Sequence, residues 1–194
     1  MLLLKEPTRE QIANLIAAYR HTPFTYPDVG ASRGAPPAGW RVDHNRARLG
    51  AGAATFERAR TAFERWAMFD VGWMRLCWPE APIAAGTTVA LLASLPGLWS
   101  LNICRVVYTI DDDDGRVRRR GFAYGTLGLH EARGEERFLV EWDRASDAVH
   151  YDVLAFSRPY SLLARLGYPV VRVFQRRFGR ASKRAMLRAA EGQD

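Results

Sequence analysis

The chain has 194 residues, with 28 Lys or Arg against 21 Asp or Glu, for a formal net charge of +7. With 48% hydrophobic and 25% charged residues it has the composition of a globular protein, and its length fits a single domain, 1–194, with a sizeable core. Leu2 to Leu4 is too short for a leader or an anchor and no later apolar run reaches membrane length, so the expectation is a cytoplasmic protein that is not integral to a membrane.

A helix is predicted over 8–20, with Thr8 as its N-cap and Ile12, Leu15, Ile16 and Tyr19 on one face. Prolines and glycines recur through 21–39 and read as a long irregular connection. Trp40 to Leu49 reads as a short strand. Gly50 and Gly52 precede a second helix with an apolar stripe of Phe56, Ala59, Phe63 and Trp66. A Gly-x-Gly at a helix start can cradle a phosphate, but helix entry explains it equally well.

A sheet is expected mainly within 87–156. Its strands are Thr87 to Leu95, Leu101 to Ile110, Arg118 to Leu127, Glu136 to Asp143 and Ala148 to Phe156. The short gaps between them favour antiparallel hairpins. Asp111 to Gly115 reads as a turn, since it lacks the alternating spacing and distal glutamate of a calcium loop. In the strand from Arg118, Gly121, Ala123 and Gly125 share one face. That strip of small residues leaves room either for a ligand or for an unusually close helix.

A C-terminal helix is predicted over 159–190, interrupted near Gly167 and Pro169. Leu163, Leu166, Val170, Val173, Phe174, Phe178, Ala181 and Ala185 form its apolar face, and Arg165, Arg172, Arg176 and Lys183 its opposite one. With Arg180 these make a basic surface, and between Pro159 and Ala190 there are eight Arg or Lys and no acid. The whole is an α+β pattern: a curved antiparallel sheet packed around a long C-terminal helix. Cys77 and Cys104 make no disulfide framework, and no paired Cys/His spacing suggests zinc, so no metal or cofactor is expected.

Several blocks in one order carry a family resemblance: Asn102 to Tyr108, Gly121 to Leu127, His130, Gly134 to Phe138, Phe156 to Pro159, Ala164 to Pro169 and Gln175 to Phe178. Leu49-Gly-x-Gly-x-x-x-Phe56 adds to them. From about Pro23 to Met186 the chain resembles the uncharacterised family "domain of unknown function nineteen-ninety". The family's Pro-Gly-His-Pro turn is replaced here by Gly128-Leu129-His130-Glu131, which keeps the histidine and loses both prolines. The resemblance carries no activity over. The layout it implies looks like the helix-grip domains of lipid- and steroid-binding proteins, of START or Bet v 1 type.

Three functions follow as expectations. The first is a binding module for a small apolar or amphipathic ligand between sheet and helix. Tyr124, Thr126, Trp142 and Tyr151 would line or border its site, with Asn102, Arg105 and His130 as polar anchors. The second is an enzyme in the same cavity, with His130 and Glu135 or Glu136 as its acid/base pair. The third is an anionic-surface or nucleic-acid binder acting through Arg165, Arg172, Arg176, Arg180 and Lys183, although no sequence-specific nucleic-acid motif is present.

Overall fold

In the computed structural model the described residues are 1–130, 132–160 and 168–192, with the side chains of 168–171 left aside. Chain order is β1 (Leu2–Leu3), α1 (Arg9–Tyr19), β2 (Arg41–Ala51), α2 (Gly52–Glu64), β3 (Met74–Leu76), β4 (Thr88–Leu95), β5 (Leu98–Asp113), β6 (Val117–Thr126), β7 (Ala132–Asp143), β8 (Ala148–Pro159) and α3 (Tyr168–Glu191). The strands form one antiparallel sheet of order β2-β8-β7-β6-β5-β4-β3, and β1 pairs with β5. Register shifts between Arg48 and Gly50 on β2 and between Val106 and Tyr108 on β5 bend their strands, which helps the sheet curl. The sheet grips α3 on its concave face.

Two packing groups follow from this curl. On the concave face, Phe56 and Phe63 of α2 and Trp66, Met68 and Phe69 just after it pack on Phe122, Phe138 and Tyr151, with Phe178 and Met186 of α3 closing the cluster. Each fully buried side chain of this size contributes about 2 kcal/mol by leaving water. Specific contacts key the helix to the sheet. The hydroxyls of Tyr151 and Ser182 lie 2.8 Å apart, and a Cβ on Gly179 would stand 3.2 Å from the Asn45 amide. On the convex face, α1 covers Ala90, Leu92 and Leu101 through Ile12. Its start is fixed by a capping box between Thr8 and Gln11.

The irregular connection over 21–39 covers the rest of the convex face. Its anchor is Glu135, which is 2% exposed. The Glu135 carboxylate accepts from the Tyr26 hydroxyl (2.7 Å), the Gly30 amide (2.7 Å), the Ser32 amide (3.0 Å) and the Ser32 hydroxyl. The Gly121–Gly125 strip is therefore neither a cavity nor a helix contact. A Cβ on Gly125 would lie 2.1 Å from the Tyr26 hydroxyl, and one on Gly121 2.4 Å from the Phe138 carbonyl oxygen.

Several expectations are corrected. The short β3 was not expected, and β5 runs on through Asp113, so the turn begins later. Asp111, Asp112 and Asp113 stand opposite Arg120, Arg119 and Arg118 across the β5–β6 ladder, and their carboxylates are taken by arginines. Gly52, at φ +86°, turns the chain into α2, and its amide donates to the Asp147 carbonyl at 2.9 Å. Trp66 lies beyond the end of α2. Val173, expected in the core, is 60% exposed. Leu163, Arg165, Leu166 and Gly167 lie outside the described residues.

Candidate functional site

The residues that fill the bowl stop short of one end. Beneath the first turns of α3, a cavity of about 480 Å³ remains between helix and sheet. That lies within the roughly 300–1,000 Å³ typical of small-molecule sites. Its walls are mostly apolar: Leu91 and Ala93 of β4, Val153 and Ala155 of β8, and Phe174 of α3 packed on Trp73 at 5.9 Å between ring centres.

A few polar groups interrupt those walls. Period-two alternation on β7 places Glu136 on the same face as Phe138 and Val140, so its carboxylate enters the cavity while that of Glu135 points away. The Tyr124 hydroxyl, one strand over, donates to Glu136 Oε2 at 2.7 Å. Burial pushes the Glu136 carboxyl up to about 7; the Tyr124 hydrogen bond opposes this and the Asp43 charge adds to it. Burial, and next the Glu136 charge, holds Tyr124 well above the usual phenol range.

His130 sits where the chain turns between β6 and β7. Its Nδ1 accepts from the Ala132 amide at 3.1 Å, which leaves Nε2 to carry the proton. Burial, and next the Met1 ammonium, holds the imidazole down to about 4, so it is neutral at physiological pH. Asp43 of β2 also lines the space and is clamped by Arg172 of α3, whose Nη2 donates to Oδ1 at 2.6 Å. Arg172 Nη1 also donates to Asp43 Oδ2, and to Gln175 at 2.8 Å.

Of the residues singled out from the sequence, Asn102, Tyr124, Thr126, His130 and Glu136 line this cavity. The Thr126 hydroxyl is already engaged, lying 2.6 Å from that of Thr25 and accepting from the Gly134 amide at 3.0 Å. Asn102 donates to Ser100 Oγ at 3.0 Å.

Trp142, Tyr151 and Arg105 lie elsewhere, and Glu135 borders the cavity with its carboxylate turned away from it. Trp142 packs on Phe56 and donates to Asp147 at 3.0 Å, and Tyr151 is fully buried against Phe63 and Ser182. Both share the concave face, but at the end that α2 fills. Arg105 stacks over Phe24 and donates to the Arg20 carbonyl at 2.8 Å. The Glu135 carboxylate is consumed in holding the 21–39 connection, so it cannot pair with His130 in the cavity.

The basic surface is also revised. Arg172 is 9% exposed and paired with Asp43, so it leaves the outward face. Arg176 and Arg180 are exposed, and Lys183 is half-buried. Arg177 lies over the Trp73 ring at 4.9 Å, against the cavity wall. Asp43, Asn45, Trp73 and Phe174 were not foreseen as wall residues. Among the described residues, no helix is long and apolar enough to cross a membrane.

Residues 25–185 match a family model described as "Domain of unknown function (DUF1990)". A Deinococcus radiodurans UPF0548 protein is 39% identical over 202 residues, covering 98% of this chain and 99% of the relative. A Dictyostelium discoideum UPF0548 protein is 41% identical over 156 residues, covering 76% and 72% respectively. Among solved structures, the hypothetical protein jhp0584 from Helicobacter pylori aligns over 87% of this chain and 96% of its own, with a TM-score of 0.51 at 10% identity. Ara h 8.0201 aligns over 77% and 99%, with a TM-score of 0.45 at 11% identity. The curved sheet around a C-terminal helix is the helix-grip fold.

Proposed function

The chain belongs to the family of the domain of unknown function DUF1990, and we propose that it is a binding module that takes one small apolar or amphipathic molecule between sheet and C-terminal helix. The observation that carries this is the cavity of about 480 Å³ with apolar walls and a few polar groups at fixed places. The space is not left by loose packing. Helix and sheet are held to each other around it through Tyr151–Ser182, Asp43–Arg172 and the close approach at Gly179. A cytoplasmic setting is supported by two free thiols, of which Cys104 is buried and Cys77 half-buried.

Filling the space separates binding from fold. Ala155 lines the cavity on β8, so Ala155→Phe projects a ring into it. The unaltered protein is expected to bind the neutral fluorophore prodan one-to-one with a blue-shifted emission. Ala155→Phe is expected to bind it at least about tenfold more weakly, a loss of about 1.4 kcal/mol, with an unchanged circular dichroism spectrum. Equal binding by both proteins contradicts the reading.

A second reading, an enzyme, is supported by one specific observation: His130 and Glu136 line the same cavity with their proton affinities moved in opposite senses. Incubating a cell metabolite extract with the protein and with Glu136→Gln tests it. A compound consumed only by the unaltered protein supports catalysis, and retention without turnover supports binding alone. The anionic-surface reading now rests on Arg176, Arg180 and Lys183, and binding of that kind weakens steeply with salt.

A further inference from the structure

The acids that this sheet buries wholly (Glu135, Asp152) or partly (Asp43, Glu136) fall into two groups. Glu135 has four donors, as described. Asp152, 2% exposed, is met by Arg137 at 3.0 Å and His44 at 2.7 Å. Asp43 is clamped by Arg172. Glu136 is different. Among the described residues its hydrogen-bond partner is the neutral Tyr124 hydroxyl, no Arg, Lys or His ion-pairs with it, and the charge that bears on it is that of another acid, Asp43. A carboxyl removed from water with neither a counter-charge nor a full set of donors is costly, and donors offset that cost at Glu135 while cations offset it at Asp152 and Asp43. The unbalanced site is the one that opens into the cavity.

We infer that the cavity's ligand is an amphipathic amine, whose ammonium group pairs with the Glu136 carboxylate while its apolar part lies along Leu91, Ala93, Ala155 and Phe174. This rests on the cavity reading above and assigns the ligand's chemical class. An ammonium supplies the missing counter-charge and donates to the carboxylate oxygen that Tyr124 leaves open. An anionic head group meets Glu136 and finds Arg172 already committed to Asp43, while Arg133, which also borders the cavity, stands on the opposite face of β7 from Glu136. The net charge of +7 acts the other way, favouring anions on the outer surface, so a preference for amines cannot arise there.

Glu136 also sets the pH dependence. The titratable groups turned toward it are Tyr124 on β6, Cys104 on β5, Tyr151 on β8 and Asp43 on β2, with Arg172 of α3 beyond Asp43. Burial holds the two tyrosines and Cys104 protonated through neutrality. His130, which lines the same cavity, is neutral above about 4. Loss of the Glu136 proton near 7 is therefore the event that readies the site for an ammonium.

The test uses three probes of equal chain length, decylammonium, decanol and decanoate, titrated calorimetrically into the full chain and into Glu136→Gln at pH 8. Decylammonium is expected to bind at least about tenfold more tightly than decanol, and decanoate more weakly. Glu136→Gln is expected to bring the amine down to the alcohol. Below pH 7 amine affinity should fall about tenfold per pH unit in the unaltered protein and stay flat in the variant. If decanol binds and the amine gains nothing, or Glu136→Gln leaves the order unchanged, the amine assignment is overturned and the cavity reading stands. If none of the three binds, both are overturned.

Discussion

Replacing Glu135 by alanine is expected to lower stability by about 4 kcal/mol, measured by urea denaturation at pH 8. The substitution strands the donors of Tyr26, Gly30 and Ser32 beneath the 21–39 connection, and hydrogen bonds to a charged acceptor are among the stronger ones. The next residue behaves in the opposite way. The Glu136 carboxyl is raised from 4.5 to about 7 in the fold. Its stabilising contribution is complete below the unfolded value and is lost as pH rises through the folded one. Above pH 7 the folded state therefore carries a disfavoured charge, and Glu136→Gln is expected to stabilise the protein there by up to about 3 kcal/mol, with no gain at pH 4. Adjacent glutamates on two faces of one strand should thus differ in sign. A Glu135→Ala protein as stable as the parent would mean that the connection is not anchored there.

Gly125→Leu is expected to cost about 4 kcal/mol as well, through overpacking and the loss of the Tyr26–Glu135 hydrogen bond. The new Cβ meets the Tyr26 hydroxyl at 2.1 Å and Phe24 at 2.9 Å, and both belong to a segment held against the sheet. Thermal unfolding followed by circular dichroism checks this. A leucine accepted at full stability would require the 21–39 connection to lift off, which would show as new protease sites between residues 21 and 39.

The architecture was largely legible from the sequence because the strong local signals agree with the tertiary arrangement. The capping residue Thr8, the stripe of Phe56, Ala59 and Phe63 and the alternation of β6 to β8 all point one way. The site was half legible. Glu136 shares its face with Phe138 and Val140, so a carboxylate on the core side could be read from period two alone. Trp142 and Tyr151 share the concave face as expected, but α2 fills that end of the bowl, and how far a helix reaches along a sheet is a tertiary property. Tyr108 is on the convex face beside Ser32 because of the register shift after Val106, which breaks the alternation that the sequence suggests. Arg172 lies opposite Phe174 on a helical wheel, yet it is buried because Asp43, far away in sequence, reaches it. The strip at Gly125 was expected to face a ligand or a close helix, but the segment that approaches it is an irregular connection whose path no periodicity announces.

Methyl NMR of the protein titrated with decanol shows whether the space under α3 receives a ligand. Saturable shifts are expected at Leu91, Ala93, Val153 and Ala155, with the methyls of Ala90 and Leu92 on the opposite face unmoved. Decanol that moves no cavity methyl, or that moves only residues on the convex or outer helical surfaces, would contradict the binding reading.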